Sequence, residues 1–261
     1  THGFSGKWQT IAKPLAYFFA FAGVLVAWLG IGTFSQVNSI TASLQNSFDW
    51  SPKIVSILLA LITAAIIFGG IQSISKVSEK VVPFMAGLYI LAALVVIFTN
   101  FNQLLPVLEM VFQSAFTGKA AVGGFAGATV MVAMRLGIAR GVFSNESGLG
   151  SAPIAAAAAK TEEPVEQGLI SMTGTFIDTI IICTMTGLTI VITETWNTGL
   201  EGVAITTAAF QKGLPFPPQF ASFALMLCLV FFAFTTILGW DYYSEKCLEY
   251  ISNGNMTVVK V

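Results

Sequence analysis

The sequence predicts an all-α polytopic membrane protein, and three observations carry that prediction. Only 10% of the 261 residues are charged while 55% are hydrophobic, and the mean hydropathy is +0.80. A soluble domain has about 25% charged residues, and a globule of this size could not cover its surface with so few. Long stretches carry no charge at all, namely 14–48, 54–75, 81–108 and 213–240. Each exceeds the roughly 20 residues a helix needs to cross the ~30 Å hydrocarbon core. Finally, runs such as Tyr89 through Phe98 do not alternate in polarity, as the strands of a membrane barrel would.

The elements follow from these gaps in chain order. The first span is 15–39, the second 54–70 and the third 81–100. Segment 103–116 mixes apolar and polar residues around Pro106 and Glu109 and reads as interfacial or re-entrant. Segment 120–160 is too long for one simple span. The next span, 168–193, holds a single charge, Asp178. Segment 194–219 carries Gly199, Gly202 and Gly213 and then Pro215, Pro217 and Pro218, and also reads as interfacial. The last span is 220–243.

Charge and cysteine usage narrow the function. Twelve basic against thirteen acidic residues give a net charge of −1, which offers no footprint for nucleic acid. The one histidine, His2, excludes a Ser–His–Asp triad and a multi-histidine metal site. Cys183, Cys228 and Cys247 lack metal-type spacing and read as small core residues. Lys7, Lys13, Lys76, Lys80, Lys160, Lys246 and Lys260 fall on one set of connections, and Lys53, Lys119 and Lys212 on the other. The positive-inside rule therefore puts both ends in the cytoplasm. No signal peptide is visible, and the chain begins at Thr1 with a mixed polar and aromatic lead-in, as an internal fragment of a longer membrane protein would.

Segment 120–160 departs most from a simple span. Gly123, Gly124 and Gly127, then Gly137, Gly141, Gly148 and Gly150, interrupt it, and Arg135, Arg140 and Glu146 charge it. A lipid-facing helix does not tolerate the polar run from Asn145 to Ser151, and irregular backbone at membrane depth survives only where it lines a cavity or is buried in protein. The segment reads as a half-helix over 125–141, an unwound stretch over 142–151 and a second half-helix over 152–160, the kind of discontinuity that marks substrate and ion sites in transporters. In the rival reading Ser144 to Ser151 is an ordinary loop, and the break falls at Gly123–Gly127. The Gly123/Gly127 and Gly137/Gly141 pairs also have the spacing that lets helices approach closely.

The run Gly137-Ile-Ala-Arg-Gly-Val-Phe-Ser-Asn-Glu-Ser-Gly-Leu-Gly-Ser-Ala-Pro153 resembles the signature of the alanine or glycine:cation symporter family (sodium:alanine symporters). The likeness continues through Phe176-Ile-Asp-Thr-Ile-Ile-Ile-Cys-Thr184 and Phe232-Ala-Phe-Thr-Thr-Ile-Leu-Gly-Trp240 to Tyr250, and takes in Gly30-Ile-Gly-Thr-Phe-Ser-Gln-Val-Asn-Ser39. Ser147 stands where the family usually has alanine. The resemblance implies part of a five-plus-five inverted-repeat, broken-helix fold. It implies cation-coupled symport, by sodium or protons with sodium favoured, of small neutral amino acids such as alanine or glycine in the plasma (inner) membrane. It also implies a chain of about six core helices that lacks the N- and C-terminal helices of the same transporter and is inactive alone. No enzyme chemistry and no cofactor beyond the coupling sodium ion are expected. The partners are the amino acid, sodium and the lipid bilayer. The alternative is a broken-helix channel or facilitator without ion coupling.

Residue by residue, rival readings stand side by side. Gln36 and Asn38 are interhelical glue or ligand contacts, and the resemblance places Gln36 in the substrate pocket. Thr235 and Thr236 either bond back to their own helix or, as the resemblance implies, give hydroxyl ligands to sodium, Thr236 also touching substrate. Trp240 is an interfacial anchor or, by resemblance, a pocket wall that limits side-chain size. Val142, Phe143, Ser144, Asn145 and Gly148 are the candidate pocket lining of the broken segment. Asp178 is a structural ion-pair member or a coupling charge, with Arg135, Arg140 or Thr175 as candidate partners. Arg140 and Glu146 could instead pair with each other in a structural or gating role.

Overall fold

The computed structural model describes residues 8–30, 32–116, 134–135, 137–139, 141–142 and 145–255, and among them every regular element is helical. Contacts divide the chain into two compact units, residues 1–86 with 226–261, and residues 87–225.

The helices are α1 (Gln9–Leu29), α2 (Phe34–Phe48), α3 (Pro52–Ile67), α4 (Gly70–Thr99) and α5 (Phe101–Phe116), then α6 (Glu146–Leu149), α7 (Ala152–Ala156) and α8 (Pro164–Thr175). A π-helical stretch, Phe176–Cys183, follows, then α9 (Thr184–Ile192), a 3₁₀ turn at Thr195–Asn197, α10 (Val203–Gly213) and α11 (Pro218–Ile251). Among the described residues four stretches, Thr10–Gln45, Gly70–Thr99, Pro164–Ile192 and Pro218–Ile251, are long and apolar enough to cross a membrane. Exposure supports that reading: Leu29, Phe98 and Phe18 are 72%, 67% and 71% exposed. In water such faces would drive aggregation, whereas lipid solvates them.

Several predicted boundaries move. The span 15–39 is not one helix but is interrupted between Leu29 and Phe34. Gly30 leaves the helical region at φ −105° and ψ −157°, and the amide of Gly32 bonds back to Val26 O at 3.3 Å. The last helix runs to Ile251 rather than stopping at 243, because its final turns bury Tyr242, Tyr243, Ser244 and Cys247. The helix over 168–193 begins four residues earlier and holds the π-helical stretch, which hydropathy does not reveal. The predicted half-helix over 152–160 ends at Ala156. The stretch expected to be unwound keeps helical backbone at 141–142 and contains the single turn α6. Cys228 and Cys247 are buried as expected, but Cys183 is exposed. In lipid an apolar residue is not forced inward, so apolarity alone does not assign it to the core.

The first unit packs α1 antiparallel to α11. Tyr17 meets Tyr250 with ring centroids 5.2 Å apart, a Cβ on Gly23 would lie 2.9 Å from Cys247 Sγ, and one on Gly32 would lie 2.8 Å from the Trp240 ring. Beside it, Ile40 and Val55 are buried with Ala233 and Ile237, so that α2, α3 and α11 share one apolar seam.

The core of the second unit gathers Ala93, Val96, Phe210, Leu214, Ala221 and Leu225. The segment 194–219, read from sequence as interfacial, thus contributes a wholly buried Phe210. Gly213 sits so close that a Cβ would lie 2.5 Å from Val96 Cγ1, and its carbonyl accepts bonds from Thr99 Oγ1 (3.3 Å) and Asn100 Nδ2 (3.4 Å). Those donors satisfy a helix-end carbonyl that would otherwise be orphaned.

Candidate functional site

In the first unit, the break between α1 and α2 positions one group of predicted residues. The indole of Trp240 fills the space that a side chain at position 32 would need. It is 7% exposed and meets Tyr243 edge-on, with centroids 5.7 Å apart. Trp240 is therefore a buried wedge against the break and not an exposed interfacial anchor. Gln36 opens α2 four residues before Ile40, so the two share a helix face, and Ile40 packs on Ala233 and Ile237. Gln36 is half-buried. Trp240 lies three residues after Ile237 and four after Thr236 on α11.

Both threonine hydroxyls bond back to their own helix. Thr235 Oγ1 donates to Phe232 O at 3.0 Å and Thr236 Oγ1 donates to the same carbonyl at 2.9 Å. The bland alternative is thus realised, yet it does not exclude the functional one. Donating the proton orients each hydroxyl and leaves the oxygen's lone pairs available, as a cation ligand requires. Among the described residues no group of three or more His, Cys, Asp or Glu converges.

In the second unit, the polar turn after Val142 is held by side chains. Asn145 caps α6, its Oδ1 accepting from the amides of Ser147 (3.1 Å) and Gly148 (3.4 Å). Its Nδ2 donates to Thr179 Oγ1 at 2.9 Å, and Ser147 Oγ lies 2.9 Å from Thr175 Oγ1. Thr175 ends α8 and Thr179 lies in the π-helical stretch that follows, so both anchors are on one helix at the point where its winding changes. π-Helical turns are uncommon and occur mostly at functional sites. Asp178 is half-buried in the same stretch. At Gly148 a Cβ would collide with the carbonyl oxygen of Val142, which explains glycine there by close approach of backbone to backbone. Ser151, just before α7, is 4% exposed, and its Oγ has no hydrogen-bond partner among the described residues.

Gln36, Thr235, Thr236 and Trp240 lie in the first unit, and Val142, Asn145 and Gly148 in the second. Glu146 is exposed in the first turn of α6. Arg140, Phe143 and Ser144 lie outside the described residues, as does the Gly123–Gly127 cluster. Sequence reasoning missed Thr179 as an anchor, and it weighed Ser147 only as a departure from a motif. The spacing of Thr175 and Thr179, one helical turn apart, is the signal that could have found them.

Asn145→Ala removes the cap and the bond to Thr179 together. We expect a loss of about 1–2 kcal/mol, typical of cap removal, seen as a fall of roughly 3–6 °C in the thermal midpoint of the detergent-purified protein. Asn145→Asp keeps the cap oxygen and should lose less. Equal midpoints for all three proteins would show that this turn is held by other contacts.

The model of the sodium:alanine symporter family matches residues 1–261. An uncharacterized transporter of Haemophilus influenzae is 51% identical over 238 residues, covering 91% of this chain and 52% of that protein. The sodium/alanine symporter AgcS of Methanococcus maripaludis is 46% identical over 245 residues, 92% of this chain and 52% of the relative. A probable sodium/glutamine symporter of Bacillus subtilis, GlnT, is 37% identical over 241 residues, 91% of this chain and 49% of the relative. The chain spans about half the length of the curated relatives it matches.

Proposed function

The chain belongs to the sodium:alanine symporter family, a family of transporters and not of enzymes, and from that premise we propose that it forms part of a sodium-coupled importer of small neutral amino acids in the plasma (inner) membrane. The match along the whole chain, together with the likeness to a sodium/alanine symporter, carries this reading. Its fold is a multi-pass portion of a five-plus-five inverted repeat whose about six core helices include the discontinuous segment 120–160. Remaining helices of the same transporter complete the pathway, and the isolated stretch is inactive.

Alternating access comes from one helical bundle rocking against another around a site near mid-membrane. Thr235 and Thr236 offer oriented hydroxyl oxygens to sodium. Gln36 and Thr236 contact the amino acid, and Trp240 closes the end of the side-chain pocket. Val142, Phe143, Ser144, Asn145 and Gly148 are further candidate contacts of the amino acid, through backbone amides and carbonyls able to meet a carboxylate and an ammonium. Asp178 acts as a buried charge stabilising the bundle or the coupling step, and Arg140 and Glu146 serve packing or gating. No bond is made or broken in the substrate.

The test is alanine uptake by proteoliposomes holding the protein at the full length of its relatives, with and without an inward sodium gradient. Accumulation is expected only with the gradient. Uptake that is saturable but indifferent to sodium would leave a facilitator, and uptake that does not saturate would leave a channel.

A further inference from the structure

A cavity of about 520 Å³ lies where the start of α1 meets the end of α11. Lys13 and Lys246 supply two ammonium groups to its lining, and Glu249 one carboxylate. Lys246 Nζ is 2.6 Å from Glu249 Oε2 and 5.7 Å from the centre of the Tyr242 ring. Lys13 has no hydrogen bond or ion pair among the described residues. Among the described lining residues one positive charge is thus left over, and it matches the single negative charge of a phosphodiester. Tyr17 and Tyr250 pack against each other in the cavity wall, and the Tyr17 hydroxyl reaches Asn253 Oδ1 at 3.5 Å. Glu249 and Asn253 also present acceptors suited to hydroxyl groups.

The position indicates where that phosphate comes from. The apolar spans begin at Thr10 and end at Ile251, so the cavity sits at a membrane–water boundary, where lysine and tyrosine meet lipid headgroups. Beyond Lys13 and Tyr17, α1 displays Phe18, Phe21 and Leu25, all exposed and spaced three and four residues apart on one face. An apolar stripe leading away from a cationic cavity suits acyl chains and has no use for a soluble anion. The lysine distribution puts this boundary on the cytoplasmic side, whose leaflet carries the anionic lipids.

We propose that this cavity binds the phosphate headgroup of an anionic, hydroxyl-bearing phospholipid of the phosphatidylglycerol type, with its acyl chains along the Phe18–Phe21–Leu25 face. The proposal rests on the membrane placement and not on the transport reading. Native mass spectrometry of the detergent-purified protein, exposed to phosphatidylglycerol or phosphatidylcholine, tests it. Wild type should retain phosphatidylglycerol at least tenfold better. Lys13→Gln should lower that retention about fivefold, the equivalent of about 1 kcal/mol. Its side chain is exposed and makes no ion pair among the described residues, so the fold should not suffer. Lys246→Gln should act in the same direction, and Lys53→Gln, outside the cavity, should change nothing. Equal retention of the two lipids, or a preference untouched by both cavity variants, overturns the site. Displacement of the lipid by glycerol phosphate at equal concentration would show a soluble phosphate ligand and overturn the lipid assignment.

Discussion

Trp240→Ala is expected to broaden the accepted side chains and to weaken the first unit substantially. The indole is almost wholly buried, lies against the Gly32 backbone and stacks edge-on with Tyr243. Truncating a buried tryptophan to alanine removes its transfer energy and leaves a cavity, about 3–5 kcal/mol together. Because the emptied volume adjoins the break and the α2–α11 seam, a longer substrate side chain can occupy part of it. Discrimination by pocket volume amounts to about 10–200-fold per methylene group, so the ratio of leucine to alanine uptake should rise at least tenfold. Trp240→Phe keeps an aromatic wedge and should fold well while relaxing selectivity less. Competition of leucine and glutamine against labelled alanine, in proteoliposomes holding the variant at the full length of its relatives, separates the roles. If uptake of all three falls in parallel with expression, Trp240 is a packing residue and does not bound the substrate.

The second large effect concerns sodium. Thr235 and Thr236 direct their protons to one carbonyl, that of Phe232, which leaves both oxygens oriented as acceptors. A polar contact to a charged group is worth about 1.5–3 kcal/mol. Thr236→Val, which keeps the shape and removes the oxygen, should therefore raise the sodium concentration for half-maximal alanine uptake at least tenfold. Thr235→Val should do the same, and Thr→Ser at either position should leave the value within about twofold of wild type. The back-bonding hydroxyls contribute little to helix stability, so thermal midpoints should barely move. A sodium dependence unchanged by both valine variants would remove the pair from the ion site.

Much of the fold was legible because membrane insertion is decided locally. Some twenty apolar residues in a row form a span whatever surrounds them; 220–243 falls inside a helix as read, and of 81–100 all but Asn100 does. The lengths of those helices were not legible. The end of α11 stays helical because Tyr243 and Cys247, one turn apart, bury themselves, an amphipathic pattern that a search for uncharged runs passes over.

The candidate site divides in the same way. Asn145, Thr235 and Thr236 stand out as polar groups in apolar surroundings, which is a property of their own neighbourhoods in the chain. That Asn145 would bond Thr179, 34 residues away, and Ser147 meet Thr175, 28 residues away, is not such a property. Neither is the seating of Trp240 on Gly32. Within a bilayer the lipid is as apolar as a helix face, so hydropathy carries no information about which faces pair, and close packing and hydrogen bonds make that choice. Composition and the order of residues were thus enough to establish a helical membrane chain of this family and to single out its unusual polar positions. The bonds of Asn145 to Thr179 and of Ser147 to Thr175, and the seating of Trp240 on Gly32, were settled by helices meeting in three dimensions, since each depends on atoms supplied by a distant part of the chain.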